Sequence, residues 1–162
     1  MTKSLDLGCG EKPKNIFNAE TVYGVDTRTD LQLNVIRCDL AIESLPFESD
    51  FFNYVTAHDL IEHIPRVLYL PARRLPFVDL MSEIWRVLLP GGLFYSSTPA
   101  YPSQAAFSDP THVNIITEST FLAYFDHRHQ WAKGYGFIGS FELVSQEWQG
   151  EHLVSILRKL EV

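Results

Sequence analysis

Leu5-Asp6-Leu7-Gly8-Cys9-Gly10 is the stretch whose reading decides the fold. It is a hydrophobic strand, carrying one acid, that runs directly into a glycine-rich turn. Glycine at 8 and 10 permits positive φ and lets a ligand approach bare backbone, so the turn is expected to be a ligand cradle. A dinucleotide-binding fingerprint would place a third glycine at position 13, but the sequence has Pro13 there. From Glu11 to Glu20 no helical period develops, because Lys12, Pro13, Lys14, Asn15 and Asn18 interrupt it. A pyrophosphate would therefore find no helix N-terminus here.

Working outward, Val22-Tyr23-Gly24-Val25 ends in Asp26, and Val35-Ile36-Arg37-Cys38 leads to Asp39-Leu40. Each reads as a strand that delivers a carboxylate at its C-terminal end. One carboxylate accepts both hydroxyls of a vicinal diol, which gives Asp26 a chemical role; a turn or helix-capping aspartate is the other reading. The turn Leu45-Pro46-Phe47, with Glu48, Ser49 and Asp50, opens a fourth strand over Phe51-Phe52-Asn53-Tyr54-Val55-Thr56-Ala57. Three acids at successive strand ends mark the edge where open α/β sheets bind ligands.

His58-Asp59-Leu60-Ile61-Glu62-His63-Ile64 follows, closed by Pro65. As a helical turn it pairs His58 with Glu62 and Asp59 with His63 at i and i+4. Each pair offers two metal ligands and no compact third is evident, so no metal site is expected, and capping with local hydrogen bonds accounts for Glu62 and His63. Residues 66–76, with Arg66, Arg73 and Arg74, read as an irregular insertion whose arginines are solvated or recognise an anion. Phe77, Leu80, Met81, Ile84, Trp85 and Leu88 recur at helical spacing and predict a core helix, stopped by Pro90-Gly91-Gly92 before a fifth strand over Leu93-Phe94-Tyr95-Ser96-Ser97.

Asp6 before Gly-x-Gly, Ile61-Glu62-His63-Ile64 and Arg86-Val87-Leu88-Leu89-Pro90-Gly91-Gly92 together resemble the class I S-adenosylmethionine (SAM) dependent methyltransferases, in the broad methyltransferase type 11-like group. Ile61 stands where leucine is common and Leu89 where lysine is common. The resemblance covers residues 3 to about 98 in the family's order. It implies an α/β, Rossmann-like doubly wound sheet of seven strands in the order 3-2-1-4-5-7-6, with strand 7 antiparallel. It also implies SAM as cofactor and S-adenosylhomocysteine as product. By the same resemblance Asp6 serves the amino-acid end of the ligand, and Gly8, Cys9 and Gly10 pass beneath its sugar and methionine. Asp26, with Thr27 beside it, holds the ribose; Asp39 accepts the exocyclic amine of the adenine and Leu40 covers the ring. His58, directly after the fourth strand, joins the cofactor residues.

The remaining chain completes this plan. Thr98 to Ile116 is a long polar and aromatic loop carrying Asp109-Pro110-Thr111-His112, similar to the Asp-x-x-His that relatives place before a short helix. That helix is expected over Glu118 to Phe125 with Thr117 as N-cap. The aromatic and histidine-rich run from Tyr124 to Phe137 walls a substrate pocket or packs on the sheet. Phe141–Trp148 and His152–Arg158, around Gln149-Gly150-Glu151, read as a hairpin. His112 and His58 are the two candidates for a general base, since the imidazole pKa suits proton abstraction near neutrality.

The chain has 162 residues, 46% of them hydrophobic, and reads as a single methyltransferase domain. Its formal charge of −7 opposes broad binding to nucleic acid or an anionic membrane and favours a small-molecule substrate. Two cysteines, no signal peptide and no long apolar span lead to the expectation of a cytoplasmic protein. The first strand begins almost at Met1, without the N-terminal helices that often cover a methyltransferase substrate. The site is then expected to be open, or completed by a second copy in a homodimer. Two other functions stay in view: a catalytically silent SAM-binding or partner-binding module, and a nicotinamide-dependent (NAD) oxidoreductase, against which Pro13 counts.

Overall fold

A computed structural model describes every residue except 31, 32 and 70, the last of these within the expected insertion. Seven strands form one sheet in the order β3-β2-β1-β4-β5-β7-β6. They are β1 (Lys3–Leu7), β2 (Thr21–Asp26), β3 (Val35–Arg37), β4 (Phe52–His58), β5 (Leu88–Pro99), β6 (Phe141–Gln149) and β7 (His152–Lys159). β1 pairs in parallel with β2 and β4, and β7 runs antiparallel to both β5 and β6. This is the expected topology.

Leu5, Leu7, Val25, Val55 and Phe94 on the central strands are fully buried, as both faces of a parallel sheet require. Helix α1 (Pro76–Val87) buries Phe77, Leu80, Met81, Ile84 and Val87. Its remaining aromatic, Trp85, donates Nε1–H to the Leu160 carbonyl at 3.0 Å and lies under the Lys159 ammonium, 4.3 Å from the ring centre. Two short helices follow β5: α2 (Ala105–Ser108) and α3 (Glu118–Tyr124). Thr117 precedes α3, where its N–H donates to Thr120 Oγ1 at 3.0 Å.

The structure departs from expectation at three places. β5 begins at Leu88 rather than Leu93, because Leu88 already pairs with Phe52 ahead of an irregularity between Phe52 and Tyr54. Second, α1 ends at Val87, so Leu88, expected as the last apolar residue of the helix, belongs to the strand instead. The third departure follows β4. Asp59 takes a left-handed conformation (φ 48°), and only Ile61–His63 form a single 3-10 turn. The chain is redirected at Asp59, so the expected pairing of Asp59 with His63 is not made. Asp59 Oδ1 instead meets His152 Nε2 on β7 at 2.6 Å.

Candidate active site

The C-terminal ends of β1, β2 and β4 converge on a cleft of about 300 Å³. Gly8 forms part of its wall, with Asp26 and Thr27 from the end of β2 and Cys38 to Ala41 from beyond β3. The turn after β4 supplies the other side through Leu60, His63 and Ile64. Both carboxylates thus stand on one side, beside Leu40 and Ala41, and face Leu60, His63 and Ile64. A second hollow, about 290 Å³ and lined by Val67, Leu75, Val78, Tyr124 and Tyr135 among others, shares no residue with the first. It holds no strand-end acid. Three aromatics of the 124–137 run, Tyr124, Phe125 and Tyr135, therefore line this separate hollow, while Phe137 packs in the core.

The turn after β1 is held in place by the two acids flanking it. Asp6 is 1% exposed. Its Oδ1 accepts from Thr56 Oγ1 at 2.7 Å and its Oδ2 from the Lys14 N–H at 2.8 Å. Burial raises the Asp6 pKa, and these two bonds work against that rise. The carboxylate thus braces the segment that replaces a first helix. Gly8 and Gly10 both adopt positive φ, 61° and 64°. Leu60 packs against Gly8 so closely that a Cβ there would lie 2.7 Å from Leu60 Cδ1. The Cys9 N–H donates to the Val25 carbonyl and the Gly10 N–H donates to Asp26 Oδ2, at 3.2 and 3.0 Å. Pro13 packs where a third glycine would have stood, 2.7 Å from the position a Cβ on Gly24 would occupy.

Asp26 therefore faces two ways. One oxygen fixes the turn, and the other has Thr27 Oγ1 at 3.4 Å and the Arg28 guanidinium at 3.7 Å, both on exposed side chains. Asp39 Oδ1 accepts from the Ala41 N–H at 3.1 Å. The Cys9 and Cys38 thiols are both pushed up to about 11, by burial first and by nearby carboxylates second, so neither is a thiolate at neutral pH.

His58 ends β4, with its ring centre 5.1 Å from that of Tyr95. Burial, reinforced by the Lys14 charge, lowers its pKa, and its Nε2 is buried with no hydrogen-bond partner. His112 is turned away from solvent, its Nδ1 3.3 Å from the Ala106 carbonyl and its ring edge-on to His63 at 4.8 Å. Of the residues the sequence nominates, Gly8, Asp26, Thr27, Asp39 and Leu40 line the cleft; Asp6, Cys9, Gly10, His58 and His112 do not form its wall. Leu60, His63 and Ile64 do line it. The signal for His63 and Ile64 was the 61–64 run itself, where local capping would otherwise explain His63.

A sequence-family profile described as a methyltransferase domain matches residues 5–96. No curated protein matches the sequence. Among solved structures, an S-adenosylmethionine dependent methyltransferase from Mesorhizobium loti superposes with a TM-score of 0.62 at 16% identity, covering 96% of this chain and 90% of the other. The PH0226 protein from Pyrococcus horikoshii OT3 gives 0.65 at 20% identity, with 98% and 82% covered. The [4+2]-cyclase SpnF gives 0.65 at 16%, with 99% and 75% covered. At these identities the likenesses establish the fold.

Proposed function

Given that the chain belongs to the class I SAM-dependent methyltransferase-domain family, we propose that it transfers the methyl group of SAM to a small-molecule acceptor. The observation that carries this reading is the convergence of Gly8, Asp26, Asp39 and Leu40 on one cleft. The residues fit the nucleoside half of SAM. Asp26 offers acceptors for the ribose hydroxyls, Asp39 offers one for an exocyclic amine, and Leu40 with Leu60 and Ile64 offers apolar cover for a planar base.

Bound SAM supplies a methyl on a sulfonium already activated for in-line displacement. The chain's task is then to orient the acceptor and exclude water. Where the acceptor must lose a proton, His58 is one candidate, because burial lowers its pKa and leaves the imidazole neutral near pH 7. His112 is the second candidate. With an acceptor in hand, a base role predicts that His58→Ala or His112→Ala loses turnover while retaining SAM affinity. The variant also loses the acid limb of the rate profile between about pH 5 and 8. Unchanged turnover in both would leave alignment as the whole contribution.

SAM or S-adenosylhomocysteine at about ten times its Kd is expected to stabilise the protein by about 1.4 kcal/mol. That raises Tm by about 3–6 °C for a domain of this size. NAD is expected to leave Tm unchanged, since residues 8–20 contain no helix to receive a pyrophosphate. A response to NAD and none to either SAM species would overturn the reading. SpnF, a cyclase on the same fold, illustrates that fold and chemistry are separable. A silent SAM-binding module would give the same thermal shift without releasing S-adenosylhomocysteine from any acceptor panel.

A further inference from the structure

Three donor groups from two distant parts of the chain meet beside the cleft. Glu62 and His63 come from the 3-10 turn after β4, and His112 from the loop after β5. A carboxylate oxygen of Glu62 and one ring nitrogen of each histidine lie within 4.8 Å of one another. Backbone bonds hold the two parts together: the N–H groups of Val113 and Asn114 both donate to the Glu62 carbonyl, at 2.9 and 3.0 Å. Asn114, fully buried, also donates Nδ2 to the Ile61 carbonyl at 3.0 Å.

The Glu62 carboxylate is incompletely satisfied. Glu62 is 1% exposed; its Oε2 accepts from Thr98 Oγ1 at 2.7 Å, while Oε1 is buried with no partner. An orphaned carboxylate oxygen in the interior is unfavourable unless a cation or donor meets it. Among the described residues no side chain does so.

The hydrogen bonds around the two imidazoles define their tautomers. Thr111 Oγ1 has one proton, and it lies 2.6 Å from Asp109 Oδ1. The Thr111 backbone N–H donates to the same oxygen at 2.7 Å, so Asp109 Oδ1 stands as the acceptor of both Thr111 groups. Thr111 gives it the proton and can then only accept from His63 Nδ1, 3.0 Å away. His112 Nδ1 faces the Ala106 carbonyl at 3.3 Å, which also only accepts. In their neutral forms these contacts favour Nδ1–H on both rings, with Nε2 as the acceptor nitrogen; Asp109 Oδ2 lies 4.0 Å from that of His112. An imidazole whose second nitrogen is held by an oxygen is the usual state of a metal-ligating histidine.

We propose that Glu62, His63 and His112 form a binding site for a divalent first-row transition metal, with open coordination positions toward the cleft that His63 lines. Two imidazoles and one carboxylate suit zinc with a vacant fourth position and also ferrous iron. Donors around one zinc stand about 3.3 Å apart, so binding draws the three side chains closer than they are here.

The test uses tag-free, chelator-stripped full chain without SAM, which keeps its outcome separate from that of the methyl-transfer reading. Calorimetry with Zn²⁺ is expected to give one site per chain, and Co²⁺ to give a visible d–d absorption. Outer-shell substitutions at such sites weaken binding about 10–100-fold, so His63→Ala and His112→Ala, which delete ligands, are expected to weaken it at least tenfold. Glu62→Gln keeps an oxygen acceptor for Thr98 but removes the charge. It should weaken metal binding while the metal-free protein melts no lower than the parent. His129→Ala, at an exposed histidine outside the cluster, should bind as the parent does. A parent that binds neither Zn²⁺ nor Co²⁺, or ligand variants that bind as tightly as the parent, would overturn the proposal.

Discussion

Asp26→Ala is expected to weaken SAM binding by about 100-fold while the protein stays folded. Each hydrogen bond to a carboxylate is worth about 1.5–3 kcal/mol, and the ribose would make two; a combined loss of about 3 kcal/mol corresponds to that factor. The structure adds a second contribution. Asp26 Oδ2 also accepts the Gly10 N–H at 3.0 Å, so the variant loosens the turn beneath the ligand as well as removing the diol acceptor. Asp26→Asn separates the two effects, because an amide oxygen can still accept from Gly10 while the charge is lost. Calorimetry should rank the affinities as parent, then Asn, then Ala, with Tm values of the ligand-free proteins close together. Equal SAM affinity in all three would assign Asp26 to bracing the turn alone.

Asp126→Ala is expected to destabilise the fold by about 3 kcal/mol, lowering Tm by about 6–12 °C. Asp126 is fully buried between α3 and β6, and both its oxygens are engaged. Oδ1 accepts from the Arg128 N–H and Nε, at 2.9 and 2.7 Å, and Oδ2 from the Leu143 N–H and Arg128 Nη2, at 2.7 and 3.1 Å. Truncation would orphan the Leu143 amide at the sheet edge. Burial by itself raises the Asp126 pKa, but the Arg128 and Leu143 bonds together outweigh it and lower the value from 3.8 to about 2. A carboxylate depressed in the folded state stabilises above its unfolded pKa, and that stability is lost as pH falls through the folded value. The parent should therefore lose about 2 kcal/mol between about pH 4 and 2, at 1.36 kcal/mol per pH unit. Asp126→Asn lacks this ionisation, so the gap between parent and variant in urea denaturation should narrow over that interval. A constant gap would remove the charge from the explanation.

The sheet was legible because its signals are local. β1 and β2 announce themselves as short runs with an acid at or next to the last residue, β3 as one that ends two residues before Asp39, and α1 by its apolar spacing from Phe77 to Ile84. The Pro13 substitution correctly foretold that no helix follows β1, since proline and its polar neighbours break the helical period within a few residues. The turn after β4 was misread for a related reason. Spacing alone assumes that helical geometry continues, and the left-handed Asp59 ends that assumption in one residue.

The sequence by itself determined the strand order, through the family likeness of the Gly-x-Gly, 61–64 and 86–92 stretches, and it nominated the strand-end acids Asp6, Asp26 and Asp39. Only the tertiary structure decided what those acids touch: Asp6 is sealed under the turn by Thr56 and Lys14, while Asp26 and Asp39 remain in the cleft wall. It also decided that His112 stands beside His63 rather than alone in a loop. The physical reason is that hydropathy period and turn chemistry report on neighbours a few residues apart. The meeting of His112 with Glu62 and His63 depends instead on two long-range backbone bonds, from Val113 and Asn114 to the Glu62 carbonyl, which form only once β4 and β5 lie side by side.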